Sequence, residues 1–351
     1  MDKNLCHVLC TLVVTVPTIY GNMVASGESS SYSEKLVAIV AYSVCSSTLL
    51  LSNKFALEHL PVPSVVSFIQ IASSTLIVFA LKYLGNVKVD DLEWEKMKPF
   101  MLYVFLFVSS IYANMKALQL SNVETVIVFR ACTPIAVAII EYLFMNRTLP
   151  NARSCLSLFI VASGAIIYCM SDSQFRLQGL GAYSWVTLYF VLITLEMTYG
   201  KLLTEPTKNS MGQWGPVLYQ NLLASLPMFL LGYSYGDYNN IGPVLSAIDF
   251  NGYLVLLFSC IVGTLIGYTS WLCRGMLSAA SFTLVGVVNK FLTVLLNVVL
   301  WDKHSSAAGL FAVCLCLGAG TFYQQAPKRE IVAAKNDIQS SENLVRKEIS
   351  I

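Results

Sequence analysis

Apolar runs about the length of a bilayer crossing follow one another from residue 36 to residue 322. Few folds accept such a chain. Ten runs can be drawn: Leu36–Leu57, Val65–Leu84, Phe100–Leu118, Thr125–Phe144, Leu156–Met170, Tyr183–Leu203, Val217–Leu231, Tyr253–Leu272, Phe282–Trp301 and Ala307–Phe322. A helix needs roughly 20 predominantly apolar residues to cross a hydrocarbon core about 30 Å thick. The shorter runs extend into polar residues that a tilted or protein-buried helix accommodates. Water is absent from the bilayer core, so the backbone must satisfy itself within helices. The expected fold class is an all-α membrane protein with about ten transmembrane helices.

Composition excludes the main alternatives. Of 351 residues, 56% are hydrophobic and 12% charged, whereas a soluble domain carries about 25% charged residues. The net charge of +2 is too small to suggest nucleic acid. The ten cysteines fall mostly inside apolar runs, and neither Cys6/Cys10 nor Cys314/Cys316 has metal-ligand spacing. All ten read as packing residues. His7, His59 and His304 lie far apart, so no metal or other cofactor is expected. The longest connections, near Gly85–Pro99 and Gly232–Asn251, are too short for a soluble catalytic domain. Function must therefore reside within the bundle or against it, and the chain does not read as an enzyme.

Lysine and arginine set the orientation. Lys88, Lys96 and Lys98 follow run two, Arg147 and Arg153 follow run four, and Lys328, Arg329, Lys335, Arg346 and Lys347 follow run ten. With ten crossings these share one side, which the positive-inside rule assigns to the cytosol together with both termini. The sequon Asn146-Arg147-Thr148 is then cytosolic. The stretch Leu5–Ile19 is apolar but short, and a Ser-rich linker, Ser26–Ser33, follows it; a signal-like segment, an interfacial helix and an anchor all fit. Four regions result: residues 1–34, a first five-helix repeat over 35–175, a second over 176–324, and a polar cytosolic tail over 325–351.

The repeats are marked by cations. Lys54, Lys116 and Arg130 in the first half correspond to Lys201, Arg274 and Lys290 in the second. The interval Lys116–Arg130 is 14 residues and Arg274–Lys290 is 16. Five crossings per half is an odd number, so the halves must have opposite topology. Inverted repeats of this kind place a ligand site near the membrane midplane. Cations at helix ends can also snorkel to the headgroups, and that reading stays open for Lys54, Lys116, Lys201 and Arg274. Arg130 and Lys290 sit well inside apolar runs, where a charge serves a pathway or a ligand. Together they point to a carried anion.

Run nine concentrates this signal. Gly286, Lys290, Thr293 and Asn297 stand at i, i+4, i+7 and i+11 on one helical face, with Thr283 close to it. Gly286 allows close approach, and Lys290 is a compact charge suited to phosphate. A plain helix interface, with Lys290 paired to Glu124 or Glu196, is the alternative. In run seven, Tyr219-Gln220-Asn221 offers amides that match the edge of a nucleobase. Tyr42 on the first helix could stack on its face.

Gly286-Val287-Val288-Asn289-Lys290 resembles the GALNK motif of GDP-mannose transporters, and Leu218-Tyr219-Gln220-Asn221 resembles their FYNN motif. Ser121–Arg130 and Ser43–Lys54 are similar to plant-type GDP-sugar transporters. The resemblance covers roughly residues 35–325. It implies the drug/metabolite transporter architecture of two inverted five-helix halves. It also implies a Golgi antiporter that exchanges a cytosolic GDP-sugar (GDP-mannose, GDP-fucose or GDP-galactose) for luminal GMP. A homodimer in the lipid is one assembly it allows.

Carried over residue by residue, the resemblance implies that Asn221 contacts guanine, with Tyr219 and Gln220 shaping that pocket. Gly286, Asn289 and Lys290 would hold the sugar and phosphates, with Val287 narrowing the sugar region. Tyr42 matches a contributing aromatic position, and Arg130 would help offset the diphosphate charge. Gln220 stands in place of an Asn, Val287 and Val288 in place of Ala and Leu, and Phe282 in place of a Tyr. These departures bear on the sugar more than on the base. Three rivals remain at this point. One is another phosphorylated anion (a UDP-sugar, a triose phosphate or phosphoenolpyruvate) in the same fold. Another is a membrane transferase using Asp90-Asp91 to bind metal. The third is a structural protein whose run-nine stripe only packs.

Overall fold

The computed structural model describes residues 31–120, 123–170, 180–208, 211–239, 241–301, 307–327 and 329. Those residues fold into eleven α-helices: α1 Ser31–His59, α2 Pro63–Tyr83, α3 Trp94–Leu120, α4 Val123–Phe144, α5 Ala152–Met170, α6 Leu180–Lys208, α7 Gly215–Tyr235, α8 Ile241–Ala247, α9 Phe250–Met276, α10 Ala279–Trp301 and α11 Ala307–Phe322. Each of the ten apolar runs lies inside one of the long helices, with Leu84 alone falling one residue beyond. The short α8 was read from sequence as part of a connection. The N-terminal stretch Leu5–Ile19 lies outside the described residues.

Five stretches are long and apolar enough to cross a membrane: Ser33–His59, Pro63–Tyr83, Trp94–Ala117, Ser184–Thr204 and Phe250–Met276. Large apolar side chains such as Phe105, Leu143, Phe159, Leu226, Leu257 and Phe311 are exposed on six different helices. A soluble surface does not carry so much bare hydrocarbon, and a bilayer would cover it. The chain is a multi-pass helical membrane protein.

Local chemistry sets where helices begin and end. Pro63 and Pro216 sit in the first turns of α2 and α7, where the missing N–H has no intrahelical partner to lose. Gly236 takes the left-handed conformation that closes α7. Asp249 caps α9 by accepting from the Gly252 N–H at 2.9 Å. Its carboxylate also meets His59 at 3.1 Å, tying the end of α1 to the start of α9.

Each of α1 to α5 packs most extensively on one helix of the later group: α1 on α9, α2 on α7, α3 on α6, α4 on α10 and α5 on α11. Polar side chains lock these contacts where hydrocarbon offers no other partner. Gln70 on α2 donates to Asn53 on α1 at 2.7 Å and to Ser259 on α9 at 3.0 Å. Glu141 on α4 accepts from the Ala279 and Ala280 N–H groups at 2.8 and 3.2 Å. A carboxylate there offsets the positive end of α10.

Residues 325–327 and 329, at the start of the expected polar tail, are held against the bundle. Gln325 accepts from the Ser278 N–H at 3.0 Å, and the Ala326 carbonyl receives Arg147 at 2.7 Å. The Arg329 N–H donates to the Asn146 carbonyl at 2.9 Å. The segment straps the α4–α5 loop to the start of α10 because both ends expose backbone groups that need partners. Asn146 of the sequon has a φ of 52°, a turn conformation that Asn tolerates.

Candidate functional site

Helices of both groups enclose a cavity of about 310 Å³. Tyr42 from α1, Gln70 and Ser74 from α2, Gln220 and Asn221 from α7, and Arg274 from α9 are among the residues that border it. Sequence reasoning placed Tyr42, Gln220 and Asn221 in one site, and they do line one space. Asn221 donates to the Ser74 hydroxyl at 2.9 Å, which fixes its amide. Gln220 accepts from the Trp271 indole N–H at 2.7 Å. Tyr42 packs on Phe282 with ring centres 5.2 Å apart. Its hydroxyl faces Gly286, where an added Cβ would lie 3.8 Å away.

Tyr219 is not in the cavity. It is fully buried, stacked on Phe100 at 5.6 Å. Its hydroxyl donates to the Asp91 carbonyl and accepts from the Glu93 N–H, each at 3.1 Å. The cavity lies on the side of α7 that Gln220 and Asn221 present, and the helical turn carries Tyr219 away from it. The tyrosine therefore anchors the α2–α3 connection and is not a wall of this cavity. Val287 likewise turns away and packs among Ala131, Leu158, Phe291 and Cys316.

Asn289 borders a second cavity of about 660 Å³, with Lys35, Ser43, Ser281, Tyr323 and Gln325 among its walls. The two cavities are neighbours: Tyr42 and Phe282 border one, Ser43 and Ser281 the other. Lys290 lies on α10, and its side chain falls outside the described residues, as do those of Thr293, Asn297, Glu124 and Lys54. Thr283 is buried and donates to the Ala279 carbonyl at 2.7 Å.

Arg130 donates to the Tyr189 hydroxyl in a short hydrogen bond, and its charge acts on Tyr42 and Glu196. Lys201 is a capping residue: its amine donates to the Arg274 and Gly275 carbonyls at 2.9 and 3.2 Å, closing the end of α9. Lys116 stands 5.0 Å from the centre of the Tyr235 ring.

Two wall residues were absent from the expected site. Arg274 meets Glu196 at 3.8 Å and lies between the rings of Tyr103, Trp271 and Phe282. Arg274 was visible as one of the paired cations. Glu196 is an acid in an apolar run, which was the available signal. Gly200 makes their meeting possible, because a Cβ there would overlap the Arg274 guanidinium.

Outside the bundle, Asp90 and Asp91 are engaged by lysines. Lys96 meets Asp90 at 3.0 Å and Lys82 meets Asp91 at 2.8 Å. The hydrogen bond and charge of Lys82 hold the Asp91 carboxyl below the usual carboxylate range.

Comparison with known proteins supplies the family. The model of the triose-phosphate transporter family matches residues 34–317. The chain is 35% identical over 309 residues to GDP-fucose transporter 1 of Arabidopsis thaliana, covering 87% of this chain and 89% of that protein. It is 34% identical over 295 residues to the GDP-mannose transporter GONST3 of the same plant, covering 82% and 77%. A crystal structure at 14% identity shares the fold with a TM-score of 0.60, covering 83% of this chain and 96% of the other. The chain thus belongs to the triose-phosphate transporter family, within the drug/metabolite transporter superfamily.

Proposed function

We propose that this protein is an antiporter that exchanges a cytosolic GDP-sugar for luminal GMP across the Golgi membrane. The observation that carries the reading is the cavity between the helix groups, where Tyr42, Gln220 and Asn221 converge. Relatives at 35% and 34% identity are named as GDP-fucose and GDP-mannose transporters, which supports a GDP-linked substrate.

The ten long helices form two five-helix halves of opposite topology, residues 35–175 and 176–324, with both termini cytosolic. The helix pairing supports this. Setting α8 aside, exchange of the halves turns the α1–α9 contact into the α6–α3 contact. It returns α2–α7, α4–α10 and α5–α11 to themselves. The join at residues 171–179 lies outside the described residues.

In this reading Asn221 meets the guanine edge, whose N–H donors match an amide oxygen. Gln220 shapes the same end and Tyr42 stacks beside it. A cavity of about 310 Å³ is near the lower limit of ligand pockets, roughly 300 Å³. The sugar end therefore extends toward the space bordered by Asn289, past Gly286, with Lys290 and Arg130 offsetting the diphosphate. Reorientation is favoured when the site is loaded.

Purified protein should bind GMP and GDP in preference to UMP, measured as a shift in melting temperature. Asn221→Ala should lose that preference. GMP and UMP binding equally would contradict the base site. A second reading, another phosphorylated anion in the same fold, draws on the family's own description. Displacement of bound GMP by phosphoenolpyruvate or a triose phosphate at similar concentrations would favour it.

A further inference from the structure

A buried ion pair lines the central cavity and is used by nothing described so far. Arg274 on α9 is 3% exposed and Glu196 on α6 is 4% exposed, and both border the cavity. Ionisable residues inside a membrane bundle are costly and mark ligand or ion pathways. This pair is also loose. Arg274 Nη2 stands 3.8 Å from Glu196 Oε1, which is longer than a hydrogen bond. Nη1 reaches the Glu196 carbonyl at 3.5 Å, Nη2 approaches the Met197 sulfur at 3.9 Å, and Nε has no hydrogen-bond partner. A guanidinium has five N–H donors in a planar fork, and here they are spent on long contacts.

The surroundings hold the cation without using those donors. Its centre lies 5.4, 5.2 and 4.7 Å from the ring centres of Tyr103, Trp271 and Phe282. Aromatic faces attract a cation and leave its N–H groups available. Glu196, for its part, has partners besides Arg274. Its Oε2 accepts from Ser110 at 3.1 Å and its Oε1 from Tyr103 at 3.4 Å. Arg130 also acts on Glu196, so two arginines share this one carboxylate.

We propose that Arg274 is an anion-binding residue of the central cavity and that Glu196 is its internal competitor. A ligand phosphate accepts from the Arg274 fork in the bidentate geometry that phosphate and guanidinium share. Glu196 then stays on Ser110 and Tyr103, and recovers Arg274 when the ligand leaves. The empty carrier thereby keeps its cation paired, and each departing phosphate is released against a resident carboxylate. The inference rests on the nucleotide-exchange reading only for the identity of the ligand.

The test measures binding of guanosine, GMP and inorganic pyrophosphate to the purified full-length protein. Glu196→Gln removes the competitor's charge; its amide oxygen still accepts from one hydroxyl, and its NH2 can donate to the other. It should tighten GMP and pyrophosphate by about fivefold or more, in the range of ordinary coupling between sites, and leave guanosine unchanged. Arg274→Gln should weaken both anions by about 10- to 100-fold, as loss of a hydrogen bond to a charged group does. That variant strands a buried carboxylate, so Glu196→Gln/Arg274→Gln is measured beside it and should lose the anions equally.

Unchanged GMP and pyrophosphate affinity in the double variant would overturn the proposal. So would Glu196→Gln binding no tighter than wild type, which is the result a purely structural pair gives. Arg274-dependent binding of pyrophosphate without binding of GMP would retire the guanine reading and leave Arg274 in place. Wild-type protein that binds none of the three probes contradicts both.

Discussion

At the residue scale, neighbouring positions carry different duties. Gln220 and Asn221 turn into the cavity, whereas Tyr219 turns out and fastens the α2–α3 connection through two hydrogen bonds at 3.1 Å. Tyr219→Phe should lower stability by about 1–2 kcal/mol through the loss of those bonds, with GMP binding unchanged in the folded fraction. Weakened GMP binding at unchanged melting temperature would return Tyr219 to the site. Gly200 is a second such case. A side chain there must displace the Arg274 guanidinium, so Gly200→Val should destabilise the fold by about 1–3 kcal/mol as overpacking does. It should also weaken anion binding in what remains folded; intact pyrophosphate affinity would contradict the placement of Arg274. The amides and Tyr42 were legible in the sequence because a polar residue in an apolar run has few explanations. The partnership of Arg274 with Glu196 was not, because it joins positions brought together only by packing of α6 and α9.

At the element scale, the α4–α10 pair is closed by a carboxylate rather than by apolar contact alone. Glu141 receives two N–H groups at the start of α10 and meets Arg147 at 3.2 Å. Arg147 in turn reaches the strap after α11. Glu141→Ala strands a buried arginine and should cost about 3–5 kcal/mol, as breaking a buried ion pair does. Thermal melting of the purified variant checks this, and a melting temperature equal to wild type would remove the cap from the account. The long helices were legible from hydrophobic runs. Their ends were not: α3 starts at Trp94 in a turn rich in charge, and α8 is a single short stretch with Gly and Pro. Helix ends follow from caps and tertiary partners, which hydropathy does not register. The strap was hidden for the same reason, since polar sequence reads as solvated until a helix end is found to need it.

At the scale of the whole molecule, the packing of α1–α5 on the later helices and the cavity between them form one arrangement. In the proposed layout the two halves would rock about a common site, opening it to one side at a time. Binding energy then appears as a preference for the loaded, reorienting state. The proposed activity is coupled exchange of a GDP-sugar for GMP. It is tested most directly by uptake into proteoliposomes, with labelled GDP-mannose, GDP-fucose, GDP-galactose and UDP-galactose each offered outside. Coupled exchange should give uptake of at least one GDP-sugar when GMP is loaded inside, little uptake into empty vesicles, and no comparable uptake of UDP-galactose. Uptake that is indifferent to internal GMP, or absent for every GDP-sugar with folded and inserted protein, would contradict it.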